Sequence, residues 1–520
     1  MEWIEPKTDW TPADGVADSD FNRIEGNIQM LDLSRTGLNV KRFGALGDGS
    51  RSNESPYIQA ALDAGAGKEV YIPEGTYYLQ DMLIVKSGTK LRLAPNARLI
   101  RNASINMLLL WDGGNPTGYN GAHDIVIEGG TWDMNRSQFP NSNTAISFSH
   151  CHNIIIKDVT ILNVPENHHI EINASRAVKV LNSTFIGMTI TGDRRSECVQ
   201  IDAAISEEHF PWYGTYDNTC CDDVLIQGCT FRAADRGVGT HAAPPSGEKH
   251  ENIRVIGNHF ENLRGQAVRG MLWEQCTISN NTMFRCGYGI EINTGEGGNY
   301  FSVFDIAISG NVIQYADNDS NGRGIMLFGD GGQQVYYAAV TGNTISYSAD
   351  NGIMLSNTQY STVSGNVVRY PDNNGIYCGT GSTFNSITGN TIVRASARGI
   401  SLYDGAEENV VNANVIRYPG YDGILVNLNS SYNTVSDNKI RNASSGNDGQ
   451  YYGIRLSGDA NYNFVTNNRI QGSTMLYGIS ITSSCVSNRV VHNYALSAGS
   501  AGNFQDNGQS TQTELTGNVV

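Results

Sequence analysis

The sequence predicts an all-β protein folded as a right-handed parallel β-helix with a short N-terminal capping helix. Three observations predict this fold: a short internal repeat, an alternation of apolar and polar residues inside each repeat, and a composition rich in turn-forming residues. Glycine occurs 58 times among 520 residues, while charged residues make up only 17% of the chain. Apolar residues still account for 39% and recur regularly, which excludes a disordered chain.

The repeat places an asparagine between apolar residues and, about ten residues later, a Gly-Ile followed by alternating apolar residues. IRVIGNHF, IAISGNVI and NSITGNTI show the first half, and GIMLF and GISLY show the second. Neighbouring repeats lie 23 to 32 residues apart, which is too short for two packed helices and matches one coil of a β-solenoid. The asparagines are expected to stack as a ladder in one corner of the coil, and they are Asn258, Asn281, Asn311, Asn343, Asn366, Asn390, Asn414, Asn438 and Asn468.

The N-terminal half carries looser copies of the same strand pattern, such as HNIIIKDVTIL and DDVLIQGCTF. We therefore expect a leader or attachment arm at 1–37, an N-terminal cap at 38–90 and the β-helix at 91–520. The amphipathic segment IQAALDAGAG, from Ile58 to Gly67, is the predicted helix that covers the first coil.

Charge and cysteine content exclude several functions. The net charge of −16 argues against a nucleic-acid partner, because such binding depends on clustered Lys and Arg. No apolar run approaches the roughly 20 residues of a membrane span, and MEWIEPKTDW does not resemble a signal peptide. Nine cysteines without a CxxC pair argue against a zinc site or a disulfide scaffold, so we expect buried free thiols.

The segment 40–79, VKRFGALGDGSRSNESPYIQAALDAGAGKEVYIPEGTYYL, resembles the start of the pectate-lyase-like superfamily of β-helix proteins. That superfamily includes polysaccharide lyases, polygalacturonase-like glycosidases, alginate epimerases and phage tailspikes. The resemblance implies the fold and a polysaccharide ligand, but not one reaction. The sequence also departs from the polygalacturonase pattern, since it has no NTD, Gly-His-Gly or RIK motif.

The first 30 or so residues resemble the leader of tail and baseplate proteins of phages that infect Gram-positive bacteria. This second resemblance implies a tailspike-like depolymerase in a virion or outside the cell, which would need no signal peptide. It also implies a homotrimer.

The repeat allows successive coils to be aligned. NHHIEIN, SECVQID and DRGVGTH each close a coil in the same way, and GYGIEIN fits the same frame. Aligned residues on adjacent parallel strands lie about 4.8 Å apart. The predicted inward columns are Ile170, Val199 and Val238, then Ile172, Ile201 and Thr240.

The predicted outward columns gather the candidate catalytic residues on three neighbouring coils. They are Glu171, Asp202, His241, Glu197 and Arg236. Hydrolysis of a glycosidic bond needs one protonated carboxyl group and one carboxylate, which Glu171 and Asp202 would supply. In a lyase or epimerase Arg236 would instead neutralise a uronate while His241, His169 or a tyrosine moved protons. If the column is only surface, these are solvated acids.

An insert after Asp202, AAISEEHFPWYGTYDNTC, is longer than any turn of the regular coils and rich in aromatic residues. We expect it to form a wall of a sugar-binding cleft, although the aromatic residues could instead hold the loop against the solenoid. The candidate substrate-binding residues are His168, His169, Gln200, Trp212, Tyr213, Tyr216, Asp217 and Trp132.

The sequence thus favours a depolymerase of a bacterial surface or extracellular polysaccharide, by preference a glycoside hydrolase. A polysaccharide lyase or epimerase acting on uronates and a non-catalytic receptor-binding spike are the alternatives. No metal ligands and no cofactor are predicted, and a divalent ion such as calcium at the acidic face is left open.

Overall fold

The computed structural model describes residues 11, 15–25, 27, 37–190, 196–207, 214–317, 319–446, 449–496, 498–508 and 518–519. They fold as a parallel β-helix, which confirms the predicted fold class. Most of the expected leader at 1–37 lies outside these residues, apart from a helical segment at 18–25. Within the described part of the chain, no helix is both long and apolar enough to cross a membrane.

Each regular coil contributes three short strands, and the strands stack into three parallel sheets, here called sheets 1, 2 and 3. Sheet 1 consists of Leu38–Asn39, Glu69–Ile72, Lys90–Leu93, His123–Glu128, His152–Lys157, Arg176–Leu181, Asp222–Gln227, His250–Ile256, Trp273–Glu274, Cys276–Ser279, Val303–Ser309, Val335–Thr341, Thr358–Gln359, Thr362–Ser364, Ser386–Thr388, Val410–Asn412, Thr434–Ser436, Phe464–Thr466 and Arg489–Val491.

Sheet 2 consists of Gly75–Leu79, Ala97–Arg101, Thr131–Asp133, Thr160–Val164, Thr184–Met188, Thr230–Arg232, Val312–Ala316, Thr344–Ser348, Val367–Arg369, Thr391–Val393, Val415–Arg417, Lys439–Arg441 and Arg469–Gln471. Sheet 3 consists of Leu83–Val85, Leu108–Leu110, Ile146–Ser149, Ile170–Asn173, Glu197–Asp202, Arg236–Gly239, Ile325–Phe328, Ile353–Ser356, Ile376–Gly379, Ile400–Tyr403, Ile424–Asn427, Tyr452–Leu456, Tyr477–Ile481 and Gly502–Asp506.

Two long strands, His259–Met271 and Thr282–Asn293, run through the corner between sheets 2 and 3 and join them. A small antiparallel pair, Gly295–Glu296 with Asn299–Tyr300, follows the second of them. The joined corner lies directly after the three coils that carry the candidate site.

The core is a continuous column of apolar residues inside the coils. In sheet 1, Ile154 and Ile156 pair in register with Val178 and Val180, and all four are fully buried. The two-residue alternation predicted from the sequence follows from the strand geometry, since successive side chains point to opposite faces. All nine cysteines are free and buried, which confirms the expected state of the thiols.

The predicted asparagine ladder lies between sheets 1 and 2 and is confirmed. Asn366 shows its pattern: its backbone N–H and its Nδ2 both donate to Oδ1 of Asn390, at 2.9 and 3.0 Å, and Nδ2 also donates to the Val340 carbonyl. The left-handed conformation falls on the preceding residue, Gly365, with φ of 64°. The sequence reading missed a second ladder between sheets 3 and 1, formed by Asn385, Asn409, Asn433, Asn463 and Asn488.

The cap begins with the 3-10 helix Val40–Phe43 and continues with the α-helix Ser55–Ala64. The helix starts three residues before the predicted Ile58, because Pro56 is favourable in a first helical turn. Strand pairing crosses the domain boundary expected at residue 90 without a break, since Glu69–Ile72 pairs with Lys90–Leu93. The cap and the solenoid therefore share one core.

Candidate functional site

Three neighbouring strands of sheet 3 carry the candidate site: Ile170–Asn173, Glu197–Asp202 and Arg236–Gly239. Their register is the one that the aligned coils predict. The inward column is Ile170, Val199 and Val238, and the outward columns pair Glu171 with Gln200 and Gly239, and Asn173 with Asp202. The outward face is nevertheless almost fully buried, so its polar groups are removed from bulk water.

Glu197 is fully buried and binds two cationic side chains. Its Oε1 accepts a hydrogen bond from Arg236 Nη1 at 3.0 Å, and its Oε2 lies 3.1 Å from His241 Nδ1. The His168 ring stacks on the His241 ring with 5.5 Å between centroids, and His168 Nδ1 lies 2.8 Å from the Glu197 carbonyl oxygen. Sequence reasoning therefore placed Glu197, Arg236, His241 and His168 together correctly.

Asp202 is held by the chain segment that carries His241. Its Oδ1 accepts from the His241 backbone N–H at 3.2 Å and from the Ala242 N–H at 3.4 Å. Its Oδ2 accepts from Gln200 Nε2 and lies 3.4 Å from His241 Nδ1. The His241 imidazole is thus bounded by the carboxylates of Asp202 and Glu197.

The carboxyl groups differ in protonation because their surroundings differ. Burial raises the pKa of Glu171 to about 7, and the Asn173 side chain and His241 only partly offset this shift. Burial raises the pKa of Asp202 to about 6, and His241 only partly offsets it. Burial also raises the pKa of Glu197, but His241 and Arg236 together outweigh it and hold this pKa well below its usual range. Burial lowers the pKa of His241, yet Asp202 and Glu197 raise it to about 9 overall. Acid–base sites are built from such differences between neighbouring groups.

The polar network extends beyond the predicted residues onto the long strands. Arg236 Nε donates to Gln266 Oε1 at 2.8 Å, and Gln266 Nε2 donates to Glu291 Oε2 at 2.7 Å. Arg269 then contacts Glu291 at 3.4 Å and Glu296 at 2.8 Å. The sequence carried a signal for this extension, because GYGIEIN fits the frame of the site coils and puts a glutamate where later coils have Met, Tyr or Ser.

The described ends of the insert after Asp202, at 203–207 and 214–220, lie against the outer face of sheet 3 on the side of the earlier coils. Ile205 and Tyr216 pack against Leu109, which projects from the outer face of the sheet together with Ile84. Tyr216 therefore contributes to anchoring the insert, which is the alternative that the aromatic composition had left open. Trp212 and Tyr213 lie outside the described residues.

Polar contacts fix the base of the same insert. The His150 ring nitrogens lie 2.8 Å from the Gly118 carbonyl oxygen and 2.9 Å from that of Thr215. Asp217 Oδ2 accepts from the Gly118 backbone N–H at 2.8 Å. Asp217 lines a cavity of about 260 Å³ together with Tyr119, and none of the candidate catalytic residues lines that cavity.

Two predicted substrate-binding residues do not face the site. Trp132 is fully buried, in register with Leu99 and Ile161 of the core, and its Nε1 donates to the Gly129 carbonyl. The strand Thr131–Asp133 turns its central residue inward, so the prediction of a cleft edge at Trp132 was wrong.

His169 is also a core residue, although its neighbour His168 faces the cluster. It is fully buried with its ring edge against Phe185, 5.7 Å between centroids. Burial lowers its pKa to about 3, so it is neutral at physiological pH. His169 precedes the strand Ile170–Asn173, and the bend there turns its ring toward Phe185 instead of continuing the alternation of the strand, which corrects the prediction for His169.

Three side chains of the cluster offer ligand atoms within 4.8 Å of one another: His168, Glu197 and His241. Such a set resembles a metal site, but Arg236 places its guanidinium 3.0 Å from Glu197 Oε1. A divalent cation there would be repelled by the guanidinium and by a protonated His241. The donor set of this cluster therefore fits a cation poorly.

Comparison with known proteins places the chain in a family. The model of the rhamnogalacturonase A/epimerase, pectate lyase-like family matches residues 37–313. The model of the right-handed β-helix region matches residues 274–440, and that of the periplasmic copper-binding protein NosD matches residues 380–513.

Among relatives, plasmin and fibronectin-binding protein A of Streptococcus pneumoniae is 29% identical over 310 residues, covering 53% of this chain and 43% of that protein. The pre-neck appendage protein of Bacillus phage phi29 is 24% identical over 307 residues, covering 55% of this chain and 30% of that protein. The chain thus spans less than half the length of either relative.

Solved structures share the fold at low sequence identity. The Streptococcus pneumoniae surface adhesin PfbA superposes with a TM-score of 0.62 at 24% identity, over 70% of this chain and 93% of that one. The tailspike of Escherichia coli phage HK620, solved with a pentasaccharide, gives 0.52 at 14% identity, over 92% and 79%. With the family model matching more than half of its length, the chain belongs to the rhamnogalacturonase A/epimerase, pectate lyase-like family of right-handed parallel β-helix proteins.

Proposed function

We propose that the chain binds a bacterial surface or extracellular polysaccharide and hydrolyses its glycosidic bonds. The observation that carries this proposal is the set of carboxyl groups with different protonation on adjacent strands, Glu171, Asp202 and Glu197. A glycosidase needs one carboxyl group that donates a proton and a second that is ionised. Burial supplies the first at Glu171, whose pKa is raised to about 7.

In this mechanism Glu171 protonates the glycosidic oxygen as the bond to the leaving sugar breaks. Asp202 accepts a proton from the attacking water, or attacks the sugar itself. His241 stabilises the Asp202 charge from 3.4 Å. Glu197 and Arg236 are positioning residues. Their ion pair fixes the His241 ring, which lies between the carboxylates of Glu197 and Asp202.

The family and the similar proteins support the substrate class. The family is named for glycan-acting enzymes, and the HK620 tailspike was solved with a pentasaccharide. PfbA is described as a surface adhesin, and the phi29 relative as an appendage protein. We therefore also propose a location outside the cell or on a virion, and a homotrimer of the tailspike type.

A binding protein without catalytic activity is the second candidate. The relation to a plasmin and fibronectin-binding protein favours it, as does the complete burial of Glu197 and Asp202. Such a protein would hold the glycan at the same face and leave its bonds intact.

The test is a digestion assay on polysaccharides from Gram-positive cell walls and capsules, with pectin and alginate alongside. Wild type should release reducing ends without absorbance near 232–235 nm, where an unsaturated uronate absorbs. Asp202→Asn and Glu171→Gln should each lose on the order of 10²-fold or more in rate. Glu74→Gln, an exposed acid of the cap, is the matched control and should keep full activity.

The other outcomes separate the alternatives. Reducing ends together with the absorbance would assign a lyase. Tight glycan binding with no new ends would assign a receptor-binding protein, and unchanged rates in both variants would remove these carboxyl groups from the mechanism.

A further inference from the structure

Glu171 lies among uncharged polar side chains that belong to the same face of sheet 3. Ser147 precedes Glu171 in its outward column, and Gln200 follows it. Ser149 and Asn173 are paired in the adjacent outward column. We call Ser147, Ser149, Asn173 and Gln200 the polar shelf.

The shelf is buried, yet it has polar atoms without partners. Ser147 and Ser149 hydroxyls and Gln200 Oε1 make no hydrogen bond, counting every residue that the structure describes. The Asn173 amide lies beside the Glu171 carboxyl and partly lowers its pKa, but neither of its polar atoms makes a hydrogen bond of normal geometry. A buried polar atom left unpaired destabilises the folded state, so native proteins leave few of them together.

Cationic groups of the neighbouring network are already bound to other partners. Arg236 donates from Nε to Gln266 and from Nη1 to Glu197. Arg269 donates to the Thr240 carbonyl and to Glu296. The His241 imidazole is held by the carboxylates of Glu197 and Asp202. A uronate carboxylate on the shelf would thus meet Glu171 and hydroxyl or amide groups, without an unpaired cationic group to balance its charge.

We infer that the sugar residue held against Glu171 is neutral and rich in hydroxyl groups, and that the polar shelf forms its subsite. Hydroxyl groups donate to Gln200 Oε1 and Asn173 Oδ1, and they accept from Asn173 Nδ2 and the two serine hydroxyls. This inference rests on the proposed function and narrows its substrate to polysaccharides with a neutral residue at the cleaved bond.

The neutral subsite also selects the reaction. β-Elimination and C5 epimerisation both remove the proton next to a uronate carboxylate, and a neutral sugar has no such acidified proton. Hydrolysis needs only a proton for the leaving oxygen and a water molecule for the anomeric carbon, both of which a neutral glycoside accepts.

The experiment measures binding to Glu171→Gln protein, which prevents turnover. The probes are arrayed oligosaccharides of glucose, galactose, mannose and rhamnose, and matched oligomers of galacturonate, glucuronate and mannuronate. Neutral oligomers should bind, and a double change of Ser147→Ala and Ser149→Ala should weaken their affinity by about fivefold or more. The same change should leave the melting temperature of the free protein unchanged or raised, since both hydroxyls lack partners.

Ser183→Ala is the matched control, because this buried hydroxyl donates to the Leu181 carbonyl at 2.8 Å and lies away from the shelf. It should lower the melting temperature and leave glycan affinity unchanged.

Three results would overturn the inference. If uronate oligomers bound and their affinity depended on the two serines, the bound sugar residue would not be neutral, although the proposal that glycans bind at this face would stand. If neutral oligosaccharides bound with the same affinity after both serines were changed to alanine, the shelf would be occupied by ordered water alone and would not be the sugar subsite. Binding to no probe would refute both the subsite and the proposed function.

Discussion

At the residue scale, the three carboxyl groups of the cluster differ in their cationic neighbours. The His241 ring lies between Glu197 and Asp202, whereas burial is the main influence on Glu171. His241 contacts Glu197 at 3.1 Å and Asp202 at 3.4 Å, and Arg236 completes the charge on Glu197. Glu171 has no such cation in contact, so burial dominates its pKa. Similar carboxyl groups on adjacent strands thereby acquire different protonation states.

The activity is predicted to peak between about pH 6 and about pH 7. Asp202 must be ionised, so the rate falls as pH drops below its pKa of about 6. Glu171 must be protonated, so the rate falls as pH rises above its pKa of about 7. Initial rates of reducing-end release across the pH range check this, and a rate that keeps rising well above pH 7 would contradict the assignment of Glu171 as the acid.

His241 is predicted to make the folded state less stable at alkaline pH. Its folded pKa of about 9 lies above the ordinary value of 6.5, so its stabilisation is complete below about pH 6.5 and lost as pH rises through about 9. Glu171 and Asp202 also have raised pKa values, and their stabilisation is lost mainly as pH rises through about 6 to 7. Buried thiols with raised pKa values, such as Cys221, add a further loss above about pH 9. The contribution of the histidine is therefore the part of the loss that His241→Gln removes, on the order of 3 kcal/mol.

Urea unfolding at about pH 7 and about pH 9.5 measures this loss. The difference should be smaller in His241→Gln by about 2–3 kcal/mol, since the buried thiols remain in this variant. It should persist in His259→Gln, a more exposed histidine outside the cluster. Equal pH dependence in wild type and His241→Gln would refute the ion-pair role of this ring.

At the element scale, the asparagine ladder satisfies backbone groups at a corner where no strand can do so. Asn366 accepts from the backbone N–H and the Nδ2 of Asn343, at 2.9 and 3.0 Å, and passes the pattern on to Asn390. Each asparagine of the ladder thus forms hydrogen bonds with two neighbouring coils, and its hydrogen-bond partners are all buried.

Asn366→Ala is predicted to destabilise the solenoid by about 2–4 kcal/mol, because it leaves the Asn343 donors and the Val340 carbonyl unpaired in the core. Chemical denaturation checks this value. Asn321→Ala, at an exposed position, should change stability by less than about 0.5 kcal/mol. If Asn366→Ala lowered the free energy of unfolding by as little as Asn321→Ala, water would be replacing the Asn366 hydrogen bonds without loss of stability.

At the scale of the whole molecule, the regular C-terminal coils present an exposed stripe of aromatic rings. Tyr360 stacks on Phe384 with 5.0 Å between centroids, and Tyr432 stacks on Tyr462 at the same distance. Tyr360 and Phe384 are 49% and 42% exposed. Exposed apolar surface of this kind is the surface that an oligomer interface buries.

Light scattering is predicted to give three times the 56.4 kDa chain mass. The double variant Tyr360→Lys, Phe384→Lys should shift the mass toward that of the monomer. Lysine side chains buried in the interface would have to lose their hydration, and those of neighbouring copies would repel one another. Tyr347→Lys, in a separate aromatic stack with Tyr315 and Tyr370, serves as the comparison and should keep the trimer. A monomeric wild type would refute the homotrimer.

The sequence alone determined the coil and its register. An asparagine repeated every 23 to 32 residues and a two-residue alternation of apolar side chains allow only one stacking, since a shift by one residue would turn every core side chain outward. That register was sufficient to bring Glu171, Glu197, Asp202, Arg236 and His241 onto one face.

Only the tertiary structure decided how deeply that face is buried and which side chains point away from it. Trp132 and His169 were assigned to the site, but they lie in the core because strand ends and short strands can begin on either face. The two long strands that run through the corner between sheets 2 and 3 bring three further residues to the site: Gln266, Arg269 and Glu291. Ile205 and Tyr216 of the insert pack on Leu109 of the same sheet through contacts distant in sequence. Burial, which the repeat does not specify, sets the pKa of Glu171. Repeats specify local register, whereas burial and charge depend on segments that the repeat does not encode.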